Sequence, residues 1–129
     1  MKRLMAIIVG LSLILAACGG TDAIDVTLVS PSDAAELIES RDVIVLDVRT
    51  PAEVATGALP RARNIDLSAP DFTEQVSELD RNTTYLVYCQ SGNRSRQATA
   101  QMAELGFTDV YELDGGVLSW VNAGRSLSG

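Results

Sequence analysis

Four short apolar runs recur along the chain, separated by stretches in which polar and apolar residues mix. They lie at residues 43–48, 62–67, 85–88 and 110–113. The first run is almost continuously apolar, which is typical of a strand covered on both faces and therefore of a parallel sheet. The four runs accordingly predict four strands.

The stretches that flank the first strand carry helix signals. Ser30 is placed as an N-cap and Pro31 as the first helical residue, and Leu37 and Ile38 supply the buried side of this helix. Residues 51–55 can form a short helix, which the following Gly-Ala-Leu-Pro sequence ends. Helices are therefore predicted on each side of this strand along the chain.

Two longer helices are predicted further on. Residues 68–71 repeat the capping signal and open a helix that ends near Asp80. Its apolar stripe has the spacing i, i+4 and i+7, and consists of Phe72, Val76 and Leu79. The second helix is predicted from residue 94 or 95 to residue 105, with Gly106 at its end.

Short strands that alternate with helices indicate an α/β domain built around a mostly parallel sheet. Ligands of such sheets bind beyond the carboxyl ends of the strands. Asp47 and Arg49 reach that edge after the first strand, and Cys89 reaches it after the third. Past the last strand, Gly115 and Gly116 turn the chain into a terminal segment whose Trp120 we expect in the core.

The N-terminus has the pattern of an export signal rather than of a folded element. Lys2 and Arg3 precede an apolar stretch at residues 4–15, and small residues follow. That stretch is shorter than the ~20 residues that span a bilayer, so a retained transmembrane helix is disfavoured. Leu-Ala-Ala before Cys18 resembles the lipobox of bacterial lipoproteins, in which the cysteine becomes a lipid-carrying N-terminus; an ordinary signal peptide is the alternative.

We therefore expect a signal peptide at residues 1–17, a lipidated N-terminus and tether at 18–26, and one domain at 27–129. The protein is expected outside the cytoplasm, anchored by lipid to a bacterial membrane. Gly19 is not the Asp that retains lipoproteins at the inner membrane in the Gram-negative pattern, which favours the outer membrane in such a host. An envelope protein is a further candidate partner.

Charge narrows the range of partners. The chain has a formal charge of −7, and loss of Lys2 and Arg3 with the signal peptide leaves 8 basic against 17 acidic residues, or −9. This balance argues against nucleic acid and against electrostatic attraction to anionic lipid. Membrane attachment would then depend on the acyl chains.

Cys89 stands where the third strand ends and a helix begins. Backbone N–H groups of a tight loop converge at such a position, and the helix dipole also favours an anion, so the thiol can ionise below its free pKa of about 8.5. Arg94 adds a fixed positive charge. The alternatives are an inert packing cysteine and a disulfide with Cys18; lipidation of Cys18 would leave Cys89 unpaired. Catalysis requires that this thiol be reachable.

The chain contains no histidine, which excludes Cys-His acid–base pairs, and it offers no cluster of metal ligands. No metal or cofactor is therefore predicted. Asp47, Arg49 and Glu53 admit two interpretations. They either buttress the cysteine loop from behind, or Arg49 and Glu53 simply pair at helical i, i+4 spacing.

Taken together, residues 27–123 resemble a single-domain rhodanese. Four segments carry the resemblance: residues 47–53 match the segment after the family's second strand, 57–60 its Gly-His-Ile-Pro turn, 89–95 its active-site loop, and 113–120 its closing Gly-Gly and Trp. The resemblance implies a five-stranded mostly parallel sheet flanked by helices on both faces. It also implies that Cys89 carries sulfur as a persulfide, taken from a donor such as thiosulfate and given to cyanide or a thiol.

In this resemblance Cys89 and Arg94 are the catalytic residues, and the main-chain amides of the loop hold the anionic sulfur. The remaining loop residues are Gln90, Ser91, Gly92, Asn93 and Ser95. Arg94 lies five residues after Cys89, whereas related phosphatase domains have a loop one residue longer, so a phosphatase or arsenate reductase is disfavoured.

The sequence departs from the family pattern at three positions. Ala58 stands where His is common, Arg61 where Gly is common, and Gln90 where Arg is common. The last change lowers the positive charge available to thiosulfate. The alternative function is a non-catalytic binding or redox-sensing module in the envelope, which would use Cys89 as a reversible thiol.

Overall fold

The computed structural model of the protein describes residues 26–40 and 42–129. The predicted signal peptide, the tether up to residue 25 and Cys18 lie outside this range. Among the described residues, none of the helices has the length and apolar character needed to cross a bilayer.

The core of the fold is a five-stranded sheet with the order β1-β5-β4-β2-β3, in which every adjacent pair is parallel. The strands are β1 (Thr27–Val29), β2 (Val43–Asp47), β3 (Arg63–Asn64), β4 (Thr84–Tyr88) and β5 (Val110–Leu113). The predicted α/β class and five-stranded sheet are confirmed. Since β2 and β4 are neighbours, with Asp47 opposite Tyr88, their carboxyl ends bring the two candidate segments together as expected.

In the described part of the chain, four helices connect successive strands and a fifth follows β5: α1 (Pro31–Ser40), α2 (Pro51–Val54), α3 (Phe72–Ser77), α4 (Asn93–Glu104) and α5 (Gly116–Asn122). The predicted cap of α1 is present, because the Asp33 amide donates to Ser30 Oγ over 3.2 Å. The capping signal predicted at residues 68–71 is wrong. Asp71 is the N-cap of α3 but makes no side-chain cap bond, and Asp66 Oδ1 instead accepts from the Ser68 amide within a turn.

Helices cover both faces of the sheet. Side chains of α1 and α5, including Trp120 as predicted, pack on one face with Val45, Leu86 and Leu113. Side chains of α3 and α4 pack on the other with Leu46, Val87 and Cys89. Alternation along each parallel strand feeds both layers, which explains why the strands read as nearly continuous apolar runs.

Two strands differ from the pattern in the sequence. β1 was not predicted from the residues because this edge strand buries only Val29, so it shows no apolar alternation. The run at 62–67 forms only a two-residue strand. Its remainder follows β2 irregularly, with the Ile65 amide donating to Asp47 O and the Leu67 amide to Val48 O.

Arg61, which stands where the resembled family commonly has Gly, adopts a left-handed backbone with φ of 60°. Glycine reaches this region without steric cost, whereas a side chain pays about 1 kcal/mol or more. The Arg61 guanidinium donates to the Ile38 carbonyl, which ties the turn to the end of α1.

Candidate active site

Cys89 directly follows β4, and the loop 89–92 leads into α4. Gly92, the N-cap of α4, has φ of 110°, a value that suits glycine. This backbone turn directs the Gly92 amide back at the cysteine, and its hydrogen bond to Cys89 Sγ measures 3.1 Å. The predicted position of the thiol, between a strand end and a helix N-terminus, is therefore the observed one.

The surroundings of the sulfur favour the thiolate. Burial raises the pKa of the Cys89 thiol, but hydrogen bonds from the Ser95 side chain and from the amides of Ser95, Gly92 and Ser91 outweigh it, so the net pKa is lowered. The same groups would hold a negative charge on a persulfide. These are the loop amides that the sequence pattern placed around the sulfur.

The expectation of a reachable thiol is not met in this conformation, because Cys89 is only 1 % exposed. Its side chain points to the α3 and α4 face and belongs to the apolar cluster there. Ser91 and Asn93 are exposed, while Gln90 and Arg94 are half-buried. The sulfur thus lies on the floor of the site and the polar loop residues form its rim.

The N-terminus of α5 holds the loop from behind. The Val117 amide donates to Cys89 O (3.0 Å) and the Leu118 amide to Gln90 O (3.1 Å). These bonds hold the Cys89 and Gln90 carbonyls toward α5, and the Ser91 amide, on the other side of the Gln90 peptide group, donates to the sulfur. Gly116 permits this approach: a Cβ there would lie 2.7 Å from the Gln90 carbonyl carbon and still closer to Cys89 O.

Arg94 lies at the rim and is paired with Glu53. Its two terminal nitrogens reach the two Glu53 carboxylate oxygens over 2.7 and 2.8 Å, and both side chains are about one third exposed. The Arg94 hydrogen bond, together with bonds from Thr50 in the capping box of α2, lowers the pKa of Glu53 to about 2. Glu53 therefore fixes the guanidinium beside the loop.

The predicted Arg49–Glu53 ion pair is wrong. Arg49 precedes Thr50, the N-cap of α2, so the two residues do not share one helix and the i, i+4 geometry does not apply. Arg49 instead pairs with Asp47, with Nη2 donating to Oδ2 over 2.7 Å and Nε to Oδ1 over 3.0 Å. Its Nη1 also donates to Gln90 Oε1 over 3.3 Å, which links this buried pair to the loop as the buttressing interpretation expected.

Tyr88 completes the support behind the loop. Its hydroxyl donates to Asp47 Oδ2 and accepts from the Leu59 amide over 3.0 Å. Burial and the Asp47 carboxylate raise the pKa of Tyr88, which keeps its phenol neutral. Sequence reasoning placed Tyr88 in a strand but gave it no role.

Glu112 is the site residue that the sequence analysis missed altogether. It lies on β5, is 5 % exposed, and its Oε1 accepts from Ser95 Oγ over 2.8 Å. Burial raises the pKa of this carboxyl. The one available signal was a Glu among the apolar residues of a predicted strand, where a charged side chain is rarely buried without a partner.

Within residues 26–40 and 42–129, no group of three or more His, Cys, Asp or Glu side chains could hold a metal ion. Cys89 is a free cysteine, and Cys18 lies outside the described residues.

Comparisons with known proteins match most of the described part of the chain. Residues 30–123 match the family model of the rhodanese-like domain. The chain is 39% identical over 93 residues to a thiosulfate sulfurtransferase (GlpE) of Pseudomonas putida, covering 71% of this chain and 82% of that protein. It is 35% identical over 95 residues to a sulfurtransferase of Allochromatium vinosum, covering 74% and 87% respectively.

Among solved structures, a rhodanese-related protein of Thermoplasma volcanium superposes with a TM-score of 0.70 at 32% identity, covering 79% of this chain and 97% of that one. The domain also matches part of larger proteins. A tRNA uridine(34) hydroxylase of Acaryochloris marina is 34% identical over 97 residues, which are 72% of this chain and 31% of the hydroxylase.

Proposed function

The chain belongs to the rhodanese-like family, and from this we propose that it is a sulfurtransferase in which Cys89 carries the sulfur as a persulfide. The observation that supports the proposal most directly is the set of donors around Cys89 Sγ, where the Ser95 side chain and three loop amides lower the thiol pKa. The two sulfurtransferase relatives support the class of reaction.

The proposed cycle has two displacements. The Cys89 thiolate attacks the outer sulfur of thiosulfate, the new S–S bond forms, and sulfite leaves with the electron pair of the broken S–S bond. An acceptor nucleophile, either cyanide or a thiolate, then attacks the outer sulfur of the persulfide and regenerates the Cys89 thiolate. Thiocyanate is the product with cyanide, and a persulfide is the product with a thiol.

The arginines beside the loop are already paired with carboxylates, which limits how an anionic donor can bind. Arg94 is held by Glu53, Arg49 is held by Asp47, and Gln90 adds no charge. An anionic donor must therefore compete with Glu53 for Arg94, and the loop must open enough to expose a sulfur that is 1 % exposed. We assign Arg94 to donor binding on this basis, and expect thiosulfate to bind weakly.

Intact mass after incubation with thiosulfate tests the proposal. The purified domain should gain one sulfur atom, and cyanide should remove it. Cys89→Ser is the control, and it should gain nothing. An unchanged mass in a protein whose thiol titrates as free would refute catalysis and support the alternative, a binding or redox-sensing module, which the burial of Cys89 and the occupied arginines favour.

We further propose that the protein is exported and anchored through lipid on Cys18. The support is the sequence at residues 1–18 alone. Cys18→Ser should move the protein from the membrane to the soluble fraction of its native cell. Unaltered membrane association of this variant would refute the anchor, and the sulfurtransferase proposal would stand or fall separately.

A further inference from the structure

Cys89, Ser95 and Glu112 form a continuous buried chain of hydrogen bonds. Cys89 Sγ lies 3.5 Å from Ser95 Oγ, and Ser95 Oγ lies 2.8 Å from Glu112 Oε1. All three side chains are at most 5 % exposed. These hydrogen bonds run from the end of β4 through the first turn of α4 to β5, so three separate elements of the fold hold the three side chains in place.

The Ser95 hydroxyl has one proton and therefore one choice of acceptor at a time. The alternatives within reach are Glu112 Oε1 at 2.8 Å, Gly92 O at 3.1 Å and the sulfur at 3.5 Å. When Glu112 is ionised, the charge-assisted bond to its carboxylate holds this proton. When Glu112 is protonated, it donates to Ser95 Oγ, and the hydroxyl proton can turn to the sulfur.

We propose that Ser95 and Glu112 relay the proton of Cys89, with Glu112 as the group that holds it while the sulfur is a thiolate. The S–H proton passes to Ser95 Oγ as the Ser95 proton passes to Glu112 Oε1. One thiol and one carboxylate thereby become one thiolate and one carboxylic acid, with no change in total charge. Glu112 does not contact the sulfur and acts on it through Ser95.

The surroundings favour one shared negative charge over two. Two anions so close in a buried site repel each other, which raises the pKa of the second group to ionise. Both groups are desolvated, but hydrogen bonds outweigh burial at the sulfur and lower its pKa, whereas burial dominates at Glu112 and raises its pKa. The other charged groups near Glu112 are Arg96 on α4, which lowers its pKa, and Asp114 past β5, which raises it.

The relay predicts a coupled titration, whose apparent pKa values belong to the pair. The rate of Cys89 alkylation by iodoacetamide, followed by intact mass against pH, should rise in two steps in the wild type. Glu112→Gln should give a single step, because a Gln amide donates to Ser95 but cannot ionise. This step should lie between the two wild-type steps, about one pKa unit below the upper one, because no carboxylate charge then opposes the thiolate.

A double-mutant cycle tests the part of Ser95. In the Ser95→Ala background, the effect of Glu112→Gln should shrink several-fold. Glu104→Gln, the same chemical change on the exposed side of α4, should leave the profile as in the wild type. An identical profile for wild type and Glu112→Gln, or an equal effect of Glu112→Gln with and without Ser95, would overturn the relay.

A second measurement follows the carboxyl of Glu112 while Cys89 is changed. The infrared band of its protonated carboxyl, identified as the buried carboxyl band that Glu112→Gln removes, should disappear at a lower pH in Cys89→Ser than in the wild type, since no thiolate then forms beside it. Equal midpoints would overturn the proposal. The role of this relay in catalysis rests on the proposed function. Neither experiment uses a sulfur donor, so a protein that fails to transfer sulfur can still be tested for the relay.

Discussion

Gly116→Ala should distort the backbone of the cysteine loop although it replaces no residue of that loop. The new Cβ would lie 2.7 Å from both the carbonyl carbon and the oxygen of Gln90 and closer still to Cys89 O. Residue 116 also has φ of 60°, which costs an alanine about 1–2 kcal/mol. Forcing the backbones apart adds about 1–3 kcal/mol, so we expect a loss of about 2–5 kcal/mol in the free energy of unfolding.

Urea unfolding measures this loss, and thermal unfolding should show it as a fall of Tm by about 10 °C or more. Gly124→Ala is the matched control. Gly124 also has a positive φ, of 80°, but its Cβ would meet nothing within 4 Å, so only the backbone cost of about 1–2 kcal/mol applies.

The difference between the two variants isolates the contact of α5 with the loop. Since the displaced carbonyl belongs to Cys89 itself, Gly116→Ala should also raise the pH midpoint of Cys89 alkylation, whereas Gly124→Ala should leave it unchanged. If Gly116→Ala costs no more than its control, the close approach of α5 does not constrain the loop and the reasoning is refuted.

Two further variants test the groups around the loop. Arg94→Ala should raise the pKa of Glu53 from about 2 toward 4.5, because its main partner is lost; carboxyl NMR titration measures this, and an unmoved pKa would contradict it. Because pairing lowers the folded-state pKa, the contribution of this pair to stability is present above pH ~4.5 and is lost as the pH falls through about 2. Tyr88→Phe should lower the free energy of unfolding by about 1–3 kcal/mol, since the Leu59 amide loses its acceptor. Tyr111→Phe on β5, whose side chain is only half-buried, should cost less, and equal losses would argue against the Tyr88 network.

Apart from β1, the sequence predicted the order of strands and helices and the sheet edge that Asp47 and Cys89 share, because apolar runs are local signals. Edge strand β1 escaped prediction because its register with β5 is set by distant residues and only Val29 is buried. The burial of Cys89 was also not predictable from local sequence, because side chains of the distant helix α3 and of α4 pack around it.

The pairing of charges was the least predictable part of the site. Arg49 has Glu53 four residues away and Asp47 two residues away, and the choice depends on where α2 begins. Glu53 turns to Arg94, 41 residues away in the chain. Only the packed sheet brings Glu112 to Ser95, which is why neither spacing nor composition indicated that contact.

The recess of Cys89 has a consequence for the proposed cargo. In the proposed persulfide, the outer sulfur would lie one S–S bond, about 2 Å, beyond the buried Cys89 Sγ. A small nucleophile would therefore be able to attack this outer sulfur without contacting Cys89 Sγ. The side chains around Cys89 would hinder larger thiols from forming a mixed disulfide with it, which would protect the thiol at the proposed location beyond the reducing cytoplasm.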